Sequence, residues 1–168
     1  MVAAARRNPQ DFAALYDRYA QPIYRYLYSR VGSGSDAEDL TAQTFLSALE
    51  GLPHYRHRGY FSAWLFSIAR SKVIDHFRRR EPLSLDEGFP APAPDLLAMT
   101  AHKAEIEQLS GLLGTLPENE QELIRLRYVA ELSFAEMAAL LGKNEQAVKK
   151  SLYRLLARLQ ERLEASHE

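Results

Sequence analysis

Leu132-Ser133-Phe134-Ala135-Glu136-Met137-Ala138-Ala139-Leu140-Leu141-Gly142-Lys143-Asn144-Glu145-Gln146-Ala147-Val148-Lys149-Lys150-Ser151-Leu152 is the stretch on which the fold turns. Leu132-Ser133 introduces a short helix with Phe134, Met137, Ala138, Leu140 and Leu141, and Gly142-Lys143-Asn144 makes the turn that follows. Asn144 is placed to cap a last helix that buries Val148, Leu152, Leu155, Leu156, Leu159 and Leu163, spaced as one apolar face requires. A short helix, a glycine turn and a longer basic helix is a helix-turn-helix pattern. In such a unit the second helix lies in the major groove, its first turns at base edges, while flanking cations hold phosphates. With Val148 and Leu152 inward, Gln146, Lys149, Lys150 and Ser151 turn outward as base-reading candidates. Arg154 and Arg158 are the phosphate candidates. A solvated basic face would explain the charges alone; the accompanying helix-turn-helix spacing favours DNA.

Upstream, a helix is expected from near Pro117 through Leu123, Ile124, Leu126 and Tyr128, since proline is tolerated in a first turn. Before it, residues 81–95 hold four prolines, several acids and no basic residue, which predicts an extended linker between two helical halves. In the first half, Phe12, Leu15, Tyr16, Tyr19, Ile23, Tyr26 and Leu27 define one helix. After Gly32-Ser33-Gly34-Ser35, Ser35 or Asp36 can cap a second, with Leu40, Phe45, Leu46 and Leu49 as its buried stripe, closed by Gly51 and Pro53. A third, from about Phe61 to Arg80, carries Trp64, Leu65, Ile68, Val73, Ile74 and Phe77 and ends in Arg78-Arg79-Arg80, where cations suit the helix dipole. No strand-like alternation appears, so the chain reads as all-α, two small helical domains joined by a flexible acidic, proline-rich linker.

The 168 residues carry a net charge of -1, but unevenly: of 21 Lys and Arg and 22 Asp and Glu, residues 1–80 hold 12 and 7, leaving 9 and 15 for the rest. The first half is therefore basic, and Lys143 to Arg162 is a second basic island. The absence of cysteine excludes disulfides, thiolate metal sites and cysteine nucleophiles, and fits a reducing, cytoplasmic setting. No apolar run suits a membrane span, and Met1 to Arg7 does not read as a signal peptide.

Pro53-His54-Tyr55-Arg56-His57-Arg58-Gly59-Tyr60-Phe61-Ser62-Ala63-Trp64 interleaves rings with cations, a composition suited to stacking unpaired bases. Phe61 and Trp64 could equally fill the helical core. His54, His57 and Asp75-His76 raise a metal-enzyme reading, disfavoured because arginines flank the loop histidines and further ligands are lacking. Gly32-Ser33-Gly34 lacks the lysine and length of a phosphate-cradling loop, and His76 is expected at the surface or facing DNA. Asp36-Ala37-Glu38-Asp39 has more acid than capping needs, which leaves a basic partner surface as an alternative to simple helix-start chemistry.

Both halves resemble one family, the extracytoplasmic-function (ECF) type sigma factors of the bacterial sigma-70 family. In the first half the resemblance lies in Asp36-Ala37-Glu38-Asp39-Leu40 with Thr44-Phe45, Phe61 to Arg70, and Asp75 followed by Arg78-Arg79-Arg80. In the second it lies in Leu116-Pro117, Leu126-Arg127-Tyr128, Leu132-Ser133-Phe134, Glu136-Met137-Ala138, Leu141-Gly142 and Val148-Lys149. It implies sigma domain two over 8–80, a linker over 81–104 and sigma domain four over 105–166. Asp36, Glu38, Asp39 and Gln43 would dock on core RNA polymerase. Tyr55, Arg56, Arg58, Phe61, Trp64, Arg70, Ser71, Lys72, Arg78, Arg79 and Arg80 would open and read the minus-ten element, melted strand included. Asn144, Gln146, Ala147, Lys149, Lys150, Ser151, Arg154 and Arg158 would read the minus-thirty-five element as duplex. The implied protein is a transcription initiation factor with no catalytic site, cofactor, metal or small-molecule substrate. Relatives are often restrained by an anti-sigma protein. The chain departs from the family at Ala42-Gln43, where Gln-Glu is usual, at Ser71 in place of asparagine, and at Ala147-Val148-Lys149-Lys150-Ser151, which shifts the side chains that reach bases. A stand-alone helix-turn-helix regulator, its first half a sensor or dimerisation domain, is the alternative.

Overall fold

The computed structural model describes residue 2 and residues 12–56, 59–79 and 103–165. Among these there are helices and no strand, in agreement with the sequence. Helix α1, Phe12–Val31, buries Leu15, Ile23, Tyr26, Leu27 and Val31 and continues through Pro22, which cannot donate to the preceding turn. Tyr16, read as part of the apolar face, is exposed and lies edge-on to Phe45 at 4.7 Å.

Helix α2, Gly34–Gly51, starts earlier than expected. Ser33 is its cap, extended at φ -113° and ψ 125°, and accepts the Asp36 N–H at 3.3 Å; Ser35 and Asp36 already lie inside the first turn. The expected stripe is correct at Leu40 and Phe45 and wrong at Leu46 and Leu49, which are exposed, Leu46 by 58%. Ala37, Thr41, Thr44 and Ala48 complete the buried face instead. Threonine is tolerated there because the two hydroxyls donate to the Ala37 and Leu40 carbonyls, each at 2.7 Å. One 3-10 turn, Leu52–His54, follows, with Pro53 in its opening position.

Helix α3, Phe61–Arg79, buries Phe61, Leu65, Phe66, Ala69 and Val73. Ile74, 60% exposed, faces outward because one step along a helix turns it by about 100° from the face Val73 occupies; Phe77, near that face but in the last turn, is 38% exposed and lies edge-on to His76 at 5.6 Å. Helices α1, α2 and α3 pack pairwise into one three-helix body.

The second body begins with α4, Lys103–Gly114, which the sequence reading did not mark as a helix. The linker region up to residue 102 lies outside the described residues. Helix α5, Glu118–Ile124, follows Pro117 as expected, then widens into a π turn, Arg125–Val129, closed by the Ala130 N–H on the Arg125 carbonyl at 2.8 Å. The wider turn resets the helical register. Leu126 and Ala130 stay buried, and Tyr128, expected on the apolar stripe, is 54% exposed. Glu131 ends the turn at φ 58°, a left-handed conformation unusual for a side chain.

Helix α6, Phe134–Leu141, opens with a full capping box between Ser133 and Glu136 and ends at Gly142, whose φ of 62° suits glycine. Helix α7, Glu145–Ala165, is capped by Asn144, whose side-chain oxygen accepts the Gln146 N–H at 2.8 Å. Val148, Leu152, Leu155 and Leu159 are buried, and Leu156 and Leu163 are half-buried. The two bodies touch: α6 packs on α3, and the π turn packs on α1.

Candidate nucleic-acid interface

Helix α7 presents one exposed, mostly polar face. Asn144, Gln146, Ala147, Lys149, Lys150, Ser151, Arg154 and Arg158 are all exposed, on the side opposite the buried leucines. Two features there were not read from sequence. Phe134 and Tyr153 lie 6.0 Å apart, and the Lys149 ammonium sits 5.9 Å from each ring, so the charged end of the lysine is steered by a ring pair. Arg127 also lies over the Phe134 ring, at 4.9 Å, and donates to the Leu132 carbonyl at 2.8 Å. The second feature concerns Arg158, which donates to Glu120 of α5 at 2.6 Å and so already has an acidic partner.

The first body builds a different kind of surface. Tyr55 and Phe61 are buried and Trp64 is half-buried, with Trp64 4.6 Å from Tyr55 and 5.4 Å from Phe61. Gly51 makes the room for this cluster: a Cβ there would lie 3.2 Å from the Trp64 ring. Beside the rings is a cavity of about 610 Å³ lined by His54, Tyr55, Arg56, Tyr60 and Trp64 from the first body and by Ala139 and Leu140 of α6. Arg56 and Tyr60 are exposed. Tyr60, to which sequence reasoning assigns no role, stands at the rim of this cavity with its ring exposed. A half-buried tryptophan with exposed tyrosine and arginine at its rim can stack a base and hold the neighbouring phosphate.

Along α3, Ser71, Arg78 and Arg79 are exposed and Lys72 is half-buried. Arg78 donates to Asp75 within the helix at 2.9 Å. Arg70 donates through Nε to the buried Glu122 of α5 at 2.9 Å, a partner that no local sequence signal announces because 52 positions separate the two. Arg58 and Arg80 lie outside the described residues.

On α2, Glu38, Asp39 and Gln43 are exposed, next to the exposed Leu46 and Leu49. His76, expected at the surface or on DNA, is largely covered and faces Asp36 at 3.8 Å. His54 lines the cavity instead, so these two histidines have separate surroundings. His57 lies outside the described residues. Among the described residues, no group of three or more His, Asp or Glu is placed to hold a metal ion, and no helix is long and apolar enough to cross a membrane.

Electrostatics are concentrated where the bodies meet. Burial, with the Glu122 carboxylate beside it, pushes the Tyr26 hydroxyl well above the ordinary tyrosine range. Burial also lowers the Arg125 guanidinium, against the opposing pull of Glu118. Burial alone would raise Glu136, but hydrogen bonds from Ser62 and Ser133 and the charge of Arg18 outweigh it and hold that carboxyl below the usual range.

Residues 15–82 match Sigma-70 region 2 and residues 106–159 match Sigma-70, region 4. The chain is 37% identical, over 95% of its length, to the ECF RNA polymerase sigma factor BldN of Streptomyces coelicolor, and spans 63% of that protein. It is 31% identical, over 86% of its length, to the ECF RNA polymerase sigma factor SigM of Bacillus subtilis, and spans 90% of it. Among solved structures, CnrH in complex with the cytosolic domain of CnrY is similar at a TM-score of 0.71 and 27% identity, covering 98% of this chain and 95% of that one. Region two and region four thus fall, in that order, on the two helical bodies that carry the exposed cations, and the chain belongs to the ECF-type RNA polymerase sigma factors.

Proposed function

We propose that the chain binds core RNA polymerase through the exposed face of α2, reads the minus-thirty-five duplex with α7, and holds one melted strand of the minus-ten element on α3 and the aromatic cavity. The strongest support is α7: a capped recognition helix whose polar side chains all point outward, in the same chain as a region-two body. Glu38, Asp39 and Gln43, flanked by Leu46 and Leu49, offer a mixed acidic and apolar patch suited to a basic, partly apolar partner helix. Gln146, Lys149, Lys150 and Ser151 supply base-edge donors and acceptors, and Arg154 supplies a phosphate contact.

In this reading the polymerase performs the chemistry, and the chain works in the cytoplasm with no cofactor of its own. Because CnrH is seen in complex with the cytosolic domain of CnrY, a restraining protein partner is part of the proposal for this chain too. The test is transcription in vitro. Purified chain mixed with core polymerase and fragmented genomic DNA is expected to start transcripts from a defined set of sites. A chain that binds duplex DNA but neither binds core polymerase nor supports any transcript would be the stand-alone regulator instead.

A further inference from the structure

The exposed face of α7 carries a lysine whose direction is set before any DNA arrives. Lys149 and Tyr153 are four residues apart on α7, so their side chains are neighbours on one side of the helix. Phe134, in the first turn of α6, brings a second ring to 6.0 Å from Tyr153, the two planes inclined at 56°. The Lys149 ammonium lies 5.9 Å from both ring centres. That distance is at the outer edge of the range in which a ring face attracts a cation. The rings therefore bias where the ammonium points and leave its N–H groups free to donate.

The ring pair is itself fixed from behind. Arg127 lies over Phe134 at 4.9 Å and is tied to the Leu132 carbonyl at 2.8 Å. In the capping box the Ser133 N–H donates to Glu136 at 2.8 Å and the Glu136 N–H to the Ser133 hydroxyl at 3.2 Å, which sets where α6 begins and so where Phe134 projects. Lys150 is just as exposed but is rotated by about 100° from Lys149, so the pair steers one of the two lysines.

We propose that Phe134 and Tyr153 are positioning residues that turn Lys149 from a mobile point charge into the reader of one guanine in the duplex. A long, freely rotating ammonium suits any phosphate, whereas reading a base edge needs the donor held in one direction. Guanine is the matching base: its major-groove edge offers two acceptors, O6 and N7, to a group that can only donate. Adenine sets an amino donor beside its N7, and cytosine presents a donor. The inference rests on the reading of α7 as the duplex-binding helix and names the residues that set its base preference.

The test uses the full chain and a duplex carrying the minus-thirty-five element of a promoter from which it starts transcripts with core polymerase, each G·C pair exchanged for A·T in turn. One exchange is expected to weaken wild-type binding about tenfold, the size of one lost guanine contact. In Lys149→Ala the same exchange should cost less than about twofold, and Lys150→Ala should keep the full preference at that pair. Tyr153→Phe keeps the ring and is expected to keep the tenfold preference. Tyr153→Leu keeps apolar bulk without a ring face and is expected to lower it to about threefold, with no further effect in a Lys149→Ala background. An undiminished preference in Tyr153→Leu or in Lys149→Ala would overturn the inference. So would equal losses in Tyr153→Phe and Tyr153→Leu, which would make the phenol hydroxyl the group that matters.

Proton NMR of the free chain adds a readout independent of DNA. Ring currents are expected to displace the Lys149 ε-methylene protons from those of Lys150, and Tyr153→Leu should reduce the displacement. Coincident lysine signals in wild type would overturn the positioning role. A wild-type chain that prefers no duplex sequence and starts no transcripts would overturn both this inference and the reading of α7 on which it rests.

Discussion

Helix α7 and the aromatic cavity of region two both face nucleic acid in the proposed function, yet they are built on opposite principles. On α7 every side chain read as a DNA contact is exposed, above a stripe of buried leucines. At the cavity, Tyr55 and Phe61 are buried, Trp64 is half-buried, and Tyr60 and Arg56 are exposed. Reading a duplex is a matter of projection, and a rigid helix with polar side chains outward suffices. Holding an unpaired base needs a ring propped from behind, so part of the aromatic set must serve as structure.

The largest effect that would sharpen this contrast is on Trp64. Trp64→Ala removes the ring that bridges Tyr55 and Phe61 and is expected to cost about 3 kcal/mol of stability, together with promoter opening. Tyr60→Ala, at the exposed rim, is expected to change stability by less than about 0.5 kcal/mol while weakening single-strand binding by about 1–3 kcal/mol. Thermal unfolding and oligonucleotide titration of both variants check the pair. Equal stability losses would show that Tyr60 is also a prop, and the contrast between rim and support would fail.

On α7 the prediction is reversed: binding changes and stability does not. Lys149→Ala with Lys150→Ala is expected to leave the unfolding temperature within about 2 °C of wild type, since surface substitutions rarely matter. Duplex affinity should fall by about 1 kcal/mol per lysine and the salt dependence by roughly one unit of slope per lost phosphate contact. Titrations at several salt concentrations decide it. An unchanged slope would move the phosphate-binding surface off this helix.

The same contrast explains what the sequence could and could not disclose. The cap at Asn144 and the glycine at 142 act on neighbours within a few residues, so the order of short helix, turn and long helix was legible, while the equally local capping box between Ser133 and Glu136 went unread. Leu46, Leu49, Ile74 and Tyr128 were misplaced because apolar character alone does not say whether a residue faces its own core or a partner. At Tyr128 a further cause is the π turn, which shifts register without any proline or glycine to announce it. Glu122 was invisible for another reason: its partners Tyr26, Arg30 and Arg70 lie 96, 92 and 52 positions away. Periodicity reports the element on which a residue lies and says nothing of distant partners.

A smaller effect should separate the bodies by pH. Glu136 joins the cap of α6 to Ser62 of region two, and its carboxyl is held below the ordinary range. A group whose folded pKa is depressed adds stability above its unfolded pKa and loses it as pH falls through the folded value. The contribution should thus be complete at neutral pH and fade below about pH 4.5. Denaturant unfolding from pH 7 to 3 is expected to show this acid-side loss in wild type and a shallower one in Glu136→Gln; parallel curves would mean that the carboxyl is not stabilised by this contact.

The smallest predicted effect lies within α7 itself, between two arginines one turn apart. Both read from sequence as phosphate contacts, but Arg158 is bound to Glu120 at 2.6 Å and stands farther along the helix from the Asn144 cap. For Arg158 to reach a phosphate it must give up Glu120, whose charge then has to be hydrated again, so the net gain from DNA is small. Arg154→Ala is therefore expected to reduce the salt slope by about 0.9, and Arg158→Ala by less than half as much. Because the Arg158–Glu120 pair is partly exposed, its loss should cost no more than about 1 kcal/mol of stability. Equal slope changes in the two variants would show that DNA outcompetes Glu120, and the duplex-reading surface would then extend past the middle of α7.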